Sequence, residues 1–226
     1  MTDQQSPRIR VQPNGPYLVG GDVALTRRDP VRSEHGEPMT WQTTDRLGRR
    51  STAALCRCGG SSSKPFCDGT HTRNGFDGTE TAPTSTYDER ASVYEGTGVV
   101  VRDDRAVCQH AGFCGNRLTN VWEMVGGSGT EDSVTRAQMI HMIEQCPSGA
   151  LTYRMTPGGG DVEPELAVGI AVTPDGPLFV TGGIPLERAD GAPFEGRPRV
   201  TLCRCGASAN KPLCDGSHAA VGFRDS

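Results

Sequence analysis

The stretch Cys56-Arg57-Cys58-Gly59-Gly60-Ser61-Ser62-Ser63-Lys64-Pro65-Phe66-Cys67-Asp68-Gly69-Thr70-His71 governs the reading of this chain, because it occurs twice. The second copy runs from Cys203-Arg204-Cys205 to Pro212-Leu213-Cys214-Asp215-Gly216-Ser217-His218, with three thiols and one imidazole at the same offsets. In an extended segment alternate side chains point the same way, so Cys56 and Cys58 face a metal together. Cys67 and His71 lie one helical turn apart, and Asp68 suits the cap of a turn that begins just after the cysteine, so this pair also shares a face. Pro65 and the small residues between the pairs favour a tight return that sets the two faces opposite each other, while the helical turn offers N–H groups to a negative centre. Two facing pairs suit two irons bridged by sulfide. The same donor types also suit a Cys3His zinc site, although zinc ribbons usually use C-x2-C rather than C-x-C.

Each copy follows a similar hairpin. Ile9, Val11, Pro13-Asn14-Gly15-Pro16, Tyr17-Leu18-Val19 and Leu25 correspond to Ile170, Val172, Pro174-Asp175-Gly176-Pro177, Leu178-Phe179-Val180 and Leu186. The P-N-G and P-D-G centres between alternating apolar positions predict tight β-turns. Each copy closes on a Gly-Phe, Gly75-Phe76 and Gly222-Phe223. The copies are offset by 161 residues at the turn and by 147 at the cysteines, so the first carries a fourteen-residue insertion somewhere in Thr26 to Arg50, for which the sequence offers no motif. This is an internal repeat.

The pattern Cys56-x-Cys58-x2-Ser61-x3-Pro65-x-Cys67-Asp68-Gly69-Thr70-His71 resembles the signature of the CDGSH iron-sulfur (NEET) family, and Cys214 to His218 spells it literally. The resemblance implies two 2Fe-2S clusters, one held by Cys56, Cys58, Cys67 and His71, the other by Cys203, Cys205, Cys214 and His218. Domains of this family pair as two-fold dimers with exchanged strands, which implies a monomer whose two copies form an internal pseudo-two-fold pair; independent beads on a string are the alternative. A unit of this size is small for a core of its own, which favours the pair. A neutral imidazole in place of a thiolate should raise the potential above that of an all-cysteine cluster and gives acid a ligand to release.

Residues 77–165 separate the copies, bounded by the linker-like Asp77-Gly78-Thr79-Glu80-Thr81-Ala82-Pro83-Thr84-Ser85 and Pro157-Gly158-Gly159-Gly160. The segment predicts a strand at Gly98 to Arg102, a helix from Thr135 with a T-x-x-Q capping pattern to Gln138 and with Ala137, Ile140 and Ile143 on one face, and a strand at Ala150 to Tyr153. Bacterial ferredoxins bind a cubane with C-x2-C-x2-C and a distant C-P. Here Cys108, Cys114 and Cys146-Pro147 fill three of the four places, and Ala111 stands at the fourth. The segment resembles the divergent single-cluster ferredoxins of bacteria, including those that feed electrons to haem oxygenase partners. Three thiolates imply a 3Fe-4S cluster at Cys108, Cys114 and Cys146; a 4Fe-4S cluster would need a non-cysteine fourth donor from His110, Asp103 or water.

The expected fold class is α+β, β-rich: two CDGSH-type β-units at 1–76 and 161–226, with a small ferredoxin-like α+β domain inserted at 77–160. A hydrophobic share of 35% with 5% aromatics makes a thin core, so metal centres are expected to contribute to folding. Nine cysteines is an odd number, all nine lie in ligand-like clusters, the start Met1-Thr2-Asp3-Gln4-Gln5-Ser6 is polar, and no run is long enough for a membrane span; a reducing, cytoplasmic setting is expected. Residues 80–155 hold six Arg and no Lys against ten acidic residues, which accounts for the whole net charge of −4, and no basic run with interleaved aromatics suggests nucleic acid. No nucleophile with its base, carboxylate pair, phosphate loop or nicotinamide or flavin fingerprint is visible, so a catalyst is not expected. The leading reading is a multi-cluster, ferredoxin-like one-electron carrier to an oxidoreductase or oxygenase. The alternatives are a carrier of clusters or iron, or a redox and pH sensor, built on labile His-ligated clusters, and a structural zinc module for protein interactions.

Overall fold

The computed structural model describes residues 6–225; of the polar N-terminal run read above, residues 1–5 lie outside the described residues. In chain order the strands are β1 (Arg8–Val11), β2 (Tyr17–Arg32), β3 (Pro38–Leu55), β4 (Ser92–Gly96), β5 (Val99–Asp103), β6 (Leu151–Arg154), β7 (Gly169–Val172), β8 (Leu178–Thr181), β9 (Leu186–Glu187) and β10 (Arg199–Leu202). The helices are α1 (Tyr87–Arg90), α2 (Val121–Gly126), α3 (Ser133–Glu144) and α4 (Ser217–Ala220). Strands dominate this α+β chain, and among the described residues no helix is long and apolar enough to cross a membrane. The chain divides into two compact units, Met1–Asp29 with Thr43–Thr84 and Leu166–Ser226, and Pro30–Gln42 with Ser85–Glu165.

The first unit is built on a seven-stranded sheet in the order β10-β8-β7-β2-β1-β9, with β3 paired to β2. Its two hairpins form where the P-N-G and P-D-G turns predict them. Asn14 and Asp175 take φ of 46° and 47°, a region that Asn and Asp tolerate better than other L-residues, and Gln12 and Thr173 donate across the turns to the Pro16 and Pro177 carbonyls at 3.0 and 3.2 Å. Along β2 every second residue, from Tyr17 through Val19 and Val23 to Leu25, is buried, the period-two pattern of a strand with one face on a core.

Parallel pairing joins the two copies. Ile9 of β1 lies opposite Leu186 of β9, and Leu25 of β2 lies opposite Ile170 of β7. Under the repeat offset Ile9 corresponds to Ile170 and Leu25 to Leu186, so these are one contact made in both directions. The signatures also touch through an antiparallel bridge between Cys58 and Cys205. Gly59 and Gly206 make this approach possible. They have φ of 76° and 81°, and a Cβ there would stand 2.5 Å from the Cys205 carbonyl oxygen and 2.8 Å from that of Cys58.

The fourteen inserted residues lengthen the β2–β3 hairpin, whose turn closes through Ser33 N–H to the Glu37 carbonyl at 2.9 Å. Its tip, Pro30–Gln42, belongs to the second unit. There the Trp41 indole donates to the Gln145 carbonyl at 3.0 Å and packs on Phe113 with ring centres 4.9 Å apart. The rest of that unit is the antiparallel sheet β4-β5-β6 against α2 and α3, around Val99, Val101, Val121, Met124, Val125, Met139, Ile143, Leu151 and Tyr153.

The helix expected from Thr135 starts at Ser133, because Asp132 is its N-cap: Oδ2 accepts from Thr135 N–H at 2.8 Å. That carboxylate takes the role expected of the Thr135–Gln138 box. The buried face is Met139 and Ile143, while Ala137 is exposed; at about 100° per residue Ala137 lies nearly opposite Met139.

Gly59→Ala tests the contact between the copies. Gly48→Ala, at φ 90° with open space around it, should cost only the left-handed strain of about 1 kcal/mol. Gly59→Ala adds a backbone collision and should cost at least about twice as much in urea unfolding; equal costs would show that Cys58 and Cys205 can part freely.

Candidate metal centres

Both signatures are folded by the same small set of bonds. Cys56 and Cys67 donate their backbone N–H to the carbonyls of Pro65 and Ala54, both at 2.8 Å. Cys203 and Cys214 do the same to Pro212 and Thr201 at 2.8 and 3.0 Å. Ser61 and Ser208 hydroxyls close the return on Phe66 and Leu213 carbonyls at 2.6 and 2.7 Å. Asp68 ties the ends together, accepting from Ser62 N–H at 2.8 Å and from Thr70 N–H at 3.0 Å, and Asp215 does the same with Ala209 and Ser217. Hydrogen bonds from Ser62, then Thr70, hold the Asp68 carboxyl far below its ordinary range. The turn expected after Cys67 is shorter than a helix: Thr70–Thr72 is a 3-10 turn and α4 has four residues. Its N-cap position falls on Gly69 and Gly216, at φ 85° and 88°, with the aspartate one residue earlier.

These bonds leave the donors in twos. Cys56 Sγ lies 3.9 Å from Cys58 Sγ and Cys203 Sγ 3.7 Å from Cys205 Sγ. Cys67 and Cys214 Sγ each lie 3.4 Å from the Nδ1 of His71 and His218. Two thiolates on one tetrahedral metal with bonds of about 2.3 Å stand about 3.8 Å apart, and a thiolate with an imidazole about 3.5 Å. Each pair therefore fits one metal atom. Among the described residues no three His, Cys, Asp or Glu side chains converge as ligands of a single ion.

Residues that the sequence reading passed over frame these pairs. Arg57 and Arg204, between the paired cysteines, are each 1% exposed. Arg57 donates to the carbonyls of Gln12 (3.1 Å) and Gly78; Arg204 donates to those of Gly176 and Thr173 and to Asp225 Oδ2, all at 2.9 Å. The closing Phe76 and Phe223 rings lie under these guanidiniums at 5.4 and 5.1 Å, which gives the repeated Gly-Phe a role. Tyr17 Oη reaches the carbonyls of Cys203 and Pro212 at 2.8 and 2.9 Å, so the first hairpin buttresses the second signature. Burial raises the Cys56 thiol. Cys203 is lowered to about 6, chiefly by the hydrogen bond from Cys205, whose own thiol the same bond pushes up. Burial lowers the His218 imidazole, with the Arg204 charge adding to it.

In the second unit Cys108, Cys114 and Cys146 line one cavity of 150 Å³ together with Asp103, Arg105, Gln109, His110 and Pro147. Burial, with the neighbouring thiols, raises Cys114. His110 is exposed at φ 60°, and its backbone N–H donates to Cys108 Sγ at 3.4 Å. Asp103 is 3% exposed; Arg105 Nε and Trp122 Nε1 hold its Oδ2 at 2.9 and 3.1 Å, and burial raises its carboxyl against these two partners. Three thiols on a cavity of that size fit a small inorganic cluster rather than an organic cofactor.

Residues 14–72 and 175–219 match the family described as iron-binding zinc finger CDGSH type, and residues 94–156 match the divergent 4Fe-4S mono-cluster family. Uncharacterized protein YjdI of Escherichia coli (strain K12) is 40% identical over 68 residues, which cover 27% of this chain and 82% of that protein. The protein of the same name from Escherichia coli O157:H7 gives the same figures.

Asp225 offers a test of the buried charge. Burial raises its carboxyl, but Arg204 and the hydrogen bonds from Asp175 and Arg27 outweigh this and leave it lowered. Its contribution to stability is therefore present above the unfolded carboxylate pKa of about 4 and is lost as pH falls through the folded value. Asp225→Asn should cost about 3 kcal/mol in urea unfolding at pH 7, the cost of leaving a buried guanidinium without its partner, and the gap from wild type should narrow below about pH 4. A gap independent of pH would assign the effect to packing.

Proposed function

The chain belongs to the iron-binding CDGSH family and carries a divergent 4Fe-4S mono-cluster segment between its two CDGSH copies, and from this premise we propose that it is a three-centre, one-electron carrier serving an oxidoreductase or oxygenase. Cys56, Cys58, Cys67 and His71 hold one 2Fe-2S cluster, Cys203, Cys205, Cys214 and His218 the second, and Cys108, Cys114 and Cys146 a cubane-type cluster that is 3Fe-4S when its fourth corner is open. The observation that carries this reading is the twofold occurrence of donor pairs at one-metal separation. When bound, the clusters supply storage of single electrons.

The protein's own groups do the rest. Backbone N–H groups of Gly69, Ala207 and His110 donate to Cys67, Cys205 and Cys108 Sγ at 3.4 to 3.5 Å, which favours the more electron-rich state at each centre. The two copies pair about a pseudo-two-fold axis. The reciprocal Ile9–Leu186 and Leu25–Ile170 contacts support that arrangement, and the Cys58–Cys205 bridge supports electron exchange between the two CDGSH centres. In domain terms the CDGSH units are 1–76 and 161–226 and the ferredoxin-like segment is 77–160, with the hairpin tip serving the latter. The protein works in the reducing cytoplasm as a monomer and not as a catalyst.

A second reading, delivery of clusters or iron to other proteins, is favoured by one feature. His71 and His218 are only half-buried, so the imidazole ligands are open to solvent and to an acceptor.

Iron and sulfide determination on anaerobically purified protein, with electron paramagnetic resonance before and after dithionite, separates the readings. The electron carrier should show the three-iron signal of the central cluster after oxidation with ferricyanide, gain 2Fe-2S signals on reduction and keep its 2Fe-2S iron through repeated cycles. Zinc in place of iron would overturn both readings, and clusters lost in one reduction cycle would leave delivery.

A further inference from the structure

The cavity of Cys108, Cys114 and Cys146 holds a fourth group suited to iron. Asp103 ends β5, lines that cavity and is 3% exposed. Its two oxygens are treated differently: Oδ2 is fixed by Arg105 and Trp122, whereas Oδ1 is buried and has no hydrogen-bond partner. A carboxylate oxygen buried without a partner is costly, and the cost disappears if a cation takes it. Arg105 sits between the two halves of this site, 2.9 Å from Asp103 and 3.7 Å from Cys108 Sγ, and stacks on Trp122 at 4.4 Å, so the carboxylate is held against rotation.

Gln109 and His110 are the competing donors. Gln109 lines the same cavity, and its Oε1 is buried and without a hydrogen-bond partner. A neutral amide is a weak iron ligand, but its oxygen and nitrogen can exchange places, which would turn N–H donors toward sulfur. His110 is exposed. The chemistry divides accordingly, amide to sulfide and carboxylate to iron. Three thiolates and one carboxylate also carry the charge of four thiolates, so a four-iron core keeps its usual electrostatic balance.

We propose that Asp103 is the fourth ligand of the central cluster, supplying through Oδ1 the donor that Ala111 lacks and making one iron of a 4Fe-4S core exchangeable. This rests on the reading of Cys108, Cys114 and Cys146 as cluster ligands. The three-iron core, reduced by one electron from dithionite and formally neutral, takes up one Fe2+ to give a four-iron core of charge plus two. Oδ1 gives a lone pair to that iron, and water leaves it for bulk.

The test starts from anaerobic protein oxidised with ferricyanide to the three-iron form, then reduced with dithionite in the presence of isotopically enriched Fe2+ and followed by Mössbauer and paramagnetic resonance spectroscopy. Wild type should bind one added iron at the central site. Asp103→Ala should bind it more than about tenfold more weakly, while Gln109→Ala and His110→Ala retain it. Asp103→Cys should hold the fourth iron against a chelator that strips it from wild type, which keeps the test open if Asp103→Ala misfolds. Iron uptake by Asp103→Ala equal to wild type, loss of uptake in His110→Ala, or no difference between Asp103→Cys and wild type would each overturn the proposal. A three-iron core indifferent to Fe2+ in wild type would overturn this inference alone, whereas a central site with no iron or sulfide would overturn the cluster assignment beneath it.

Discussion

Soft donors must sit about 3.5 to 3.8 Å apart if they are to share one metal atom, and in each signature this separation is set by backbone rather than by a hydrophobic core. The return loop is pinned at four places: two strand-like bonds from the cysteine N–H groups, one serine hydroxyl on a carbonyl, and one aspartate bridging both arms. Nothing in that list is a large apolar side chain. This explains how a chain with 5% aromatic residues can prepare two such sites. It also explains why the stretch that follows the first cysteine pair, Gly59 to Ser63 and Gly206 to Ala209, is made of Gly, Ser and Ala, residues whose backbone can serve as the scaffold.

The buried arginines are the necessary complement. Three thiolates gathered at one site would be strongly negative, and the guanidinium between the paired cysteines places a fixed positive charge beside them at 1% exposure. The copies then differ in how that charge is met. Arg204 carries Asp225, whereas in the first copy Gly78 occupies the corresponding place and offers Arg57 only its carbonyl. Two sites with the same ligands thus stand in different fields, and Tyr17, which reaches the second signature from a position where the other hairpin has Leu178, adds to the difference.

The repeat, its hairpins and the donor pairs were legible because each rests on local rules: a turn dipeptide, alternation, and fixed offsets between ligands. What escaped was long-range. The insertion in Thr26 to Arg50 has no motif because its job is only to extend a hairpin until Trp41 meets Phe113 and Gln145. The start of α3 lies two residues earlier than the Thr135 box suggests because Asp132 is the stronger cap, and of the face read for it Ile143 is buried and Ile140 packs on the core, while Met139 takes the place of Ala137. Arg57 and Arg204 could have been noticed, since the residue between the cysteines is arginine in both copies, but a charged residue in a signature reads as solvated until burial is known.

The third centre follows a different logic from the other two. The CDGSH sites have all their donors on one continuous stretch, so the sequence alone can pair them. Cys108 and Cys114 lie in a loop ahead of α2, while Cys146 follows α3, and the three meet only because β5 and β6 pack on both helices through Val101, Leu151, Met139 and Ile143. The tip of the β2–β3 hairpin closes on the residues beside two of these cysteines, Phe113 before Cys114 and Gln145 before Cys146. A centre assembled by tertiary packing depends on that packing for its geometry. The insertion is therefore best understood as packing against the two residues beside Cys114 and Cys146, an element of the first CDGSH copy that the second lacks.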